Sequence, residues 1–298
     1  MAKLKHDQIA IGNYHYTAWS FDYFLNSAVG IGLKNIEIWG AKPHLVVGVH
    51  SDNHIREMKR KIDDKGLKVI CFCPEQNSYP VDITTADHAL REASLDHMKR
   101  SIEVTAMLGA RRMLLCPGNG YMEESFEAMQ ERFVTSCREL AETAKDYDVT
   151  LALETQAQFD SLFMNTVEQQ KAALTMVDHP HFKAMLDTVQ LAQFDRSVED
   201  SLEILGLENT VHVHLGQTIV REMTRAEKSL PEAYCLGRSV IGHIGFREGN
   251  LPLIRDLTKL AEAGYRDYVT IEICQRPYFT EADRYGREAY EVVAEVIE

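Results

Sequence analysis

The chain has 298 residues, 45% hydrophobic and 26% charged, the balance of an ordinary globular protein. Its formal charge of −13 argues against a nucleic-acid or anionic-membrane surface, because phosphate binding needs clustered Lys and Arg. No segment approaches the ~20 apolar residues of a membrane span, and "MAKLKHDQIAIGNYHYT" has no signal-like apolar run, so a cytoplasmic protein with six reduced cysteines is expected.

Short apolar runs alternate with longer amphipathic stretches along the chain. The runs are "QIAIGNY" (8–14), "NIEIWG" (35–40), "KVICFCP" (68–74) and "RRMLLCPG" (111–118). They continue with "TLALETQ" (150–156), "FKAMLDT" (182–188), "TVHVHLGQ" (210–217) and "YVTIEICQ" (268–275). The intervening stretches read as helices over 20–32, 51–66, 86–109, 125–148, 166–179, 197–206, 251–265 and 280–298. Several begin on a Ser or Thr suited to an N-cap and end near Gly. Eight strands, each followed by a helix, predict one (β/α)8 TIM barrel spanning 1–298. The near-continuous apolar character of each run fits a parallel sheet covered on both faces. A doubly wound sheet would show a Gly-rich turn after its first strand, and "GNYHYTAWS" contains no GxGxxG. Residues 217–250 are too long for an ordinary βα loop and read as a functional or interface insertion.

In such a barrel the active site lies at the C-terminal ends of the strands. Strand five ends in Glu154, strand six in Asp187 and strand seven in His214, while strand eight carries Glu272. Taken singly, a carboxylate at a strand end caps the next helix or meets a surface Arg, and Asp187 before Thr188 suits such a cap. Four such residues on successive strands, about 4.8 Å apart, converge instead on one cation. Three carboxylates and one imidazole form an oxygen-rich set suited to a single divalent ion. Mn²⁺ is the first choice, with Mg²⁺, Co²⁺ or Zn²⁺ as alternatives. Only one of His212 and His214 is expected to face the barrel interior; His214 is chosen as nearer the rim, with His212 packed under a helix.

The order Glu154, Asp187, His214, Glu272 resembles the xylose-isomerase-like family of sugar isomerases and epimerases. "IEIWGAKPH" (36–44), "CPEQNSYPVD" (73–82), "HALREASLDHMKRSIEVTAMLGA" (88–110) and "EADRYGREA" (281–289) sharpen the likeness to the ketose 3-epimerases, D-tagatose, D-psicose and above all fructoselysine 3-epimerases. The likeness covers nearly the whole chain outside 217–250. It implies that Glu154 and Glu272 both bind the metal and move the proton. It also implies substrate contacts at Asp160, Gln190, Gln217 and Arg221, where the relatives place Glu, His, an acidic residue and Arg. The metal core is thus kept while the substrate shell is changed.

The chemistry agrees with that implication. Epimerisation beside a ketone forms an enediolate whose charge a divalent Lewis acid stabilises. Inversion needs a base on one face of the carbon and an acid on the other, which carboxylates on strands five and eight can supply. An inosose-dehydratase-type lyase would use the same ligands. An endonuclease-IV-like metallohydrolase would need further rim histidines, and strands two to four offer Glu37, Glu75 and Asn119 instead. Tyr14, Glu75 and Asn119 are additional candidates for binding hydroxyls, and His243 and Arg247 candidates for folding over the site. The expected partner is a small sugar, with neither nucleic acid nor membrane, in a homo-oligomer (dimer or tetramer).

Overall fold

The structure, a computed structural model, describes residues 3–158, 160–221, 239–240 and 242–298. Eight parallel strands close into a barrel: β1 (Ile9–Gly12), β2 (Asn35–Gly40), β3 (Lys68–Pro74), β4 (Arg112–Leu115), β5 (Thr150–Leu153), β6 (Phe182–Asp187), β7 (Thr210–Leu215) and β10 (Tyr268–Ile271). Each strand pairs with its sequence neighbour, and β10 closes the ring between β7 and β1. The expected (β/α)8 barrel is the observed fold. The connection after β7 carries a small antiparallel pair, β8 (Val220–Arg221) and β9 (Ser239–Val240). Residues 222–238 and 241 of the anticipated insertion lie outside the described residues.

The helices start where short polar side chains can satisfy the free N–H groups of a first turn. Ser20 accepts from Tyr23 N ahead of α1 (Phe21–Ile31), and Ser51 from His54 N ahead of α2 (Asp52–Asp64). Asp87 and Ser125 cap α3 (His88–Met107) and α4 (Phe126–Asp146) in the same way. Thr166 and Gln169 form a reciprocal capping box on α5 (Val167–Val177). Two short helices follow β6, α6 (Thr188–Gln193) and α7 (Val198–Leu205); α8 (Leu253–Glu262) and α9 (Ala282–Ala294) complete the outer ring.

Strand periodicity divides the side chains between two cores. Leu151, Leu153, Ala184, Leu186, Val213, Leu215, Val269 and Ile271 belong to the large apolar cluster shared with the helices. The alternate positions point into the barrel, where Ala152 and Met185 pack with Tyr14, Cys73, Leu114 and Cys116. Two residues further along that inward set come Glu154 and Asp187, and the register places His214 beside both Asp187 and Thr270. The residues of the site are therefore the rim layer of the barrel's interior.

Candidate functional site

Glu154, Asp187, His214 and Glu272 converge at the C-terminal mouth, each less than a tenth exposed. His214 Nδ1 lies 2.7 Å from Glu272 Oε2, 3.8 Å from Glu154 Oε1 and 3.9 Å from Asp187 Oδ2. On its other side His214 Nε2 is 2.9 Å from Glu37 Oε1. Glu37 has no exposed surface, and the charges of His214 and His212 hold its carboxyl well below the usual range against the upward push of burial. Both nitrogens of His214 thus face carboxylates, Nε2 toward Glu37 and Nδ1 toward Glu272, and against the cost of burial those charges hold the imidazole pKa well above its usual value. A cation taking the place of the Nδ1 proton would leave Nε2–H on Glu37 and a lone pair toward the rim acids. This is the arrangement in which an outer carboxylate fixes the tautomer of a ligating imidazole.

The same carboxylate binds His212, whose Nε2 is 2.7 Å from Glu37 Oε2, and Tyr14, whose hydroxyl donates to Oε1 at 2.8 Å. His212 therefore faces the barrel interior and does not pack beneath a helix. The expectation fails because positions two apart along a strand share a face.

Each of the two outer carboxylates has one oxygen held by a side chain two residues on. Gln156 Nε2 donates to Glu154 Oε2 at 2.5 Å, and Cys274 Sγ donates to Glu272 Oε1 at 3.0 Å. The remaining Glu272 oxygen, Oε2, is buried and makes no well-directed hydrogen bond, although His214 Nδ1 is close. Asp187 divides its oxygens similarly. Oδ1 caps α6 by accepting from Val189 N and Gln190 N at 2.6 and 2.9 Å, while Oδ2 faces the site. An imidazole nitrogen, an orphaned buried carboxylate oxygen and two further acid oxygens facing one point form a donor set that fits one divalent cation.

Burial and the neighbouring Asp187 push Glu154 well above the ordinary carboxylate range. Burial also acts to raise Glu272, but His243 and His214 outweigh it and hold Glu272 low. His243, from the connection after β9, brings Nε2 to 2.8 Å from Asp187 Oδ2 and so does fold over the site. Arg247 instead pairs with Glu291 on the exterior.

A cavity of about 820 Å³ opens above these residues. Tyr14, Glu75, Asp160 and Gln190 line it, together with Trp39, Gln156 and Cys274, which the sequence alone does not single out. Glu75 accepts from Trp39 Nε1 at 2.9 Å and Ser78 N at 2.5 Å, and burial raises Asp160 to about 6 with help from Glu75. Gln217, Asn119 and Arg221 are not among its lining residues. Gln217 is buried but spends its amide on Phe246 O, Leu251 O, Leu251 N and Thr218 N, bracing the loop rather than lining the cavity. Asn119 Oδ1 accepts from Gly120 N and Leu162 N, so it holds a turn. Arg221 is exposed on β8 and is not among the lining residues.

Residues 25–295 match the family described as Xylose isomerase-like TIM barrel, and the chain belongs to that family. Among its relatives, fructoselysine 3-epimerase from Shigella flexneri is 24% identical over 271 residues, 91% of each chain. An L-ribulose-5-phosphate 3-epimerase from Escherichia coli is 25% identical over 213 residues, 71% of this chain and 66% of the relative. In fold, the chain is similar to D-psicose 3-epimerase from Clostridium cellulolyticum H10 (TM-score 0.73, 18% identity, 97% of this chain and 99% of the other). It is also similar to an L-ribulose 3-epimerase (TM-score 0.73, 20% identity, 99% and 94%).

Proposed function

We propose that this chain is a divalent-metal-dependent sugar epimerase that inverts the carbon next to the carbonyl of a ketose or ketosamine. The observation that carries the reading is the convergence of Glu154, Asp187 and Glu272 around Nδ1 of His214, from four successive strands of the barrel. Relatives named as 3-epimerases across most of the chain support it. Glu154, Asp187, His214 and Glu272 would hold the ion, with Mn²⁺ suited to the oxygen-rich set. When bound, the ion supplies Lewis-acid stabilisation of the negative charge that develops on the carbonyl and hydroxyl oxygens.

The chain's own residues then divide the proton work. Glu154 and Glu272 stand just after β5 and β10, with β6 and β7 between them, so they can address opposite faces of a sugar carbon. One carboxylate removes the proton and the other returns one from the far side. Gln156 and Cys274 fix which oxygen of each carboxylate faces the substrate region. Tyr14, Glu75, Asp160 and Gln190 are positioned to contact hydroxyl or amino groups around the ring or chain.

The test is solvent-deuterium incorporation followed by NMR across ketoses and ketosamines with Mn²⁺ present. Label should enter at the carbon beside the carbonyl with inversion. Glu154→Gln and Glu272→Gln should each lower exchange by about 10²–10⁴-fold. Wild-type exchange in either variant would sink the two-base scheme, and loss of water from the product would assign a dehydratase instead.

A further inference from the structure

Beside Glu272 the cavity carries a second donor set of different chemistry. Cys274 lies two residues beyond Glu272, and its thiol reaches Glu272 Oε1 at 3.0 Å, the oxygen turned away from His214. His243 Nε2 approaches Glu272 Oε2 at 3.6 Å. One ligand atom from each of His243, Glu272 and Cys274 lies within 4.8 Å of the other two. Bonds of about 2.0–2.3 Å to a single ion require a spacing of this order.

The histidine is seated by its surroundings. Gly216 leaves the space, since a Cβ there would stand 2.4 Å from His243 Cδ2. The His243 carbonyl accepts from Cys274 N at 3.1 Å and Gln275 N at 3.3 Å, and Ile244 N donates to Gln217 O at 2.8 Å. The loop histidine is thus tied by its own backbone to the segment that bears the cysteine. Among the described cysteines Cys274 alone is partly exposed, and it lines the cavity.

We propose that His243, Glu272 and Cys274 form a second cation site, thiophilic in character, that takes Zn²⁺ or Co²⁺ in preference to Mn²⁺ or Mg²⁺. The imidazole, carboxylate and thiolate donors select the softer ions, whereas the oxygen-rich rim set selects the harder ones. This inference rests on the proposed function only in sharing Glu272, which would bridge the two sites: its Oε1 meets Cys274, and its Oε2 faces both His214 and His243. Carboxylate-bridged pairs hold ions about 3.5–4 Å apart. On binding, the Cys274 S–H bond breaks, the proton leaves to solvent and the sulfur lone pair forms the metal bond, with no change in oxidation state. His243 Nε2 here contacts Asp187 Oδ2 at 2.8 Å. A rim ion held by Asp187 Oδ2 would compete for that contact and free the ring for the second site. A Zn²⁺ ion so placed ties up Glu272 and inhibits the Mn²⁺-loaded enzyme.

The experiment titrates chelator-treated protein with Co²⁺, following bound metal by dialysis and elemental analysis and thiolate ligation by near-ultraviolet absorption. Two equivalents should bind, one of them with a sulfur-to-cobalt charge-transfer band. Cys274→Ser should keep one equivalent and lose the band. His243→Gln, outside the barrel strands, should weaken the band-bearing equivalent by roughly tenfold or more and spare the other, and it keeps the test available should Cys274→Ser fold poorly. A single equivalent without a band, or a band that survives in Cys274→Ser, would overturn the proposal. Failure of the rim site is read separately: in Asp187→Asn the band-bearing equivalent persists while the other is lost.

Discussion

Replacing Glu37 tests how the His214 lone pair is delivered to the rim. The carboxylate accepts from His212 Nε2, His214 Nε2 and Tyr14 Oη at 2.7–2.9 Å without exposed surface. In Glu37→Gln one oxygen becomes an NH₂ group, which must face an acceptor. His212 can supply it, because its Nδ1 has no hydrogen-bond partner and the ring can exchange tautomers cheaply. The remaining oxygen then still orients His214. The expected loss of Mn²⁺ affinity is therefore at the low end of the range for outer-sphere partners, about tenfold, or ~1.4 kcal/mol. Glu37→Leu removes every acceptor and leaves two imidazoles and a phenol buried without a common partner. It should weaken Mn²⁺ binding by about 100-fold and lower stability by roughly 3–5 kcal/mol. Isothermal titration with Mn²⁺, alongside urea unfolding of the metal-free proteins, measures both. Unchanged affinity in both variants would show that Glu37 does not set the His214 tautomer.

Gly216→Ala would place a methyl 2.4 Å from His243 Cδ2 and 2.8 Å from Val189 Cγ2, so about 1–3 kcal/mol of stability should be lost in urea unfolding. Wild-type stability would mean that His243 moves aside freely. His15 is fully buried, neither ring nitrogen makes a well-directed hydrogen bond, and burial lowers its pKa from 6.5 to about 3, with Ala282 and Asp283 opposing only in part. The unfolded chain therefore binds a proton that the folded chain refuses between those values. Stability contributed by neutral His15 is present above pH 6.5 and falls by about 1.4 kcal/mol per pH unit on acidification toward 3. His15→Leu should flatten the slope between pH 6.5 and 5 by that amount, and parallel slopes would refute it. Mn²⁺ at about 100 times its dissociation constant should stabilise the protein by ~2.7 kcal/mol, reversed by chelation, and a denaturation midpoint indifferent to metal would count against the rim site.

The barrel was readable because parallel strands buried on both faces leave continuous apolar runs, and each of the eight runs contains a strand. The positions of Glu154, Asp187, His214 and Glu272 followed from the rule that strand ends meet at one mouth. Asp187 showed that cap and rim acid need not exclude each other, since each reading uses a different oxygen. What escaped was set by tertiary geometry. Glu37 sits mid-strand on β2, and only barrel closure brings it against His212 and His214 on β7. Gln217 occupies a plausible contact position, yet the bridge between Gln217 and Ile244 turns that side chain into the loop. His243 reaches the site from the far end of a long connection, where local pattern carries no information about where the chain returns. Gln156 and Cys274 could have been found, because period-two alternation places each on the face of the glutamate before it.

That alternation has a consequence for how the protein tolerates change. Glu154 with Gln156, His212 with His214 and Glu272 with Cys274 are short covalent cassettes, in which a reactive group and its buttress ride on one stretch of backbone. Such a cassette keeps its internal alignment when the mouth of the barrel breathes or a distant loop is exchanged, because both members move together. The walls built from separate loops, around Glu75, Asp160 and Gln190, have no such insurance. Under the proposed function, remodelling of those walls should change which substrate is accepted long before it disturbs the alignment of Glu154 and Glu272.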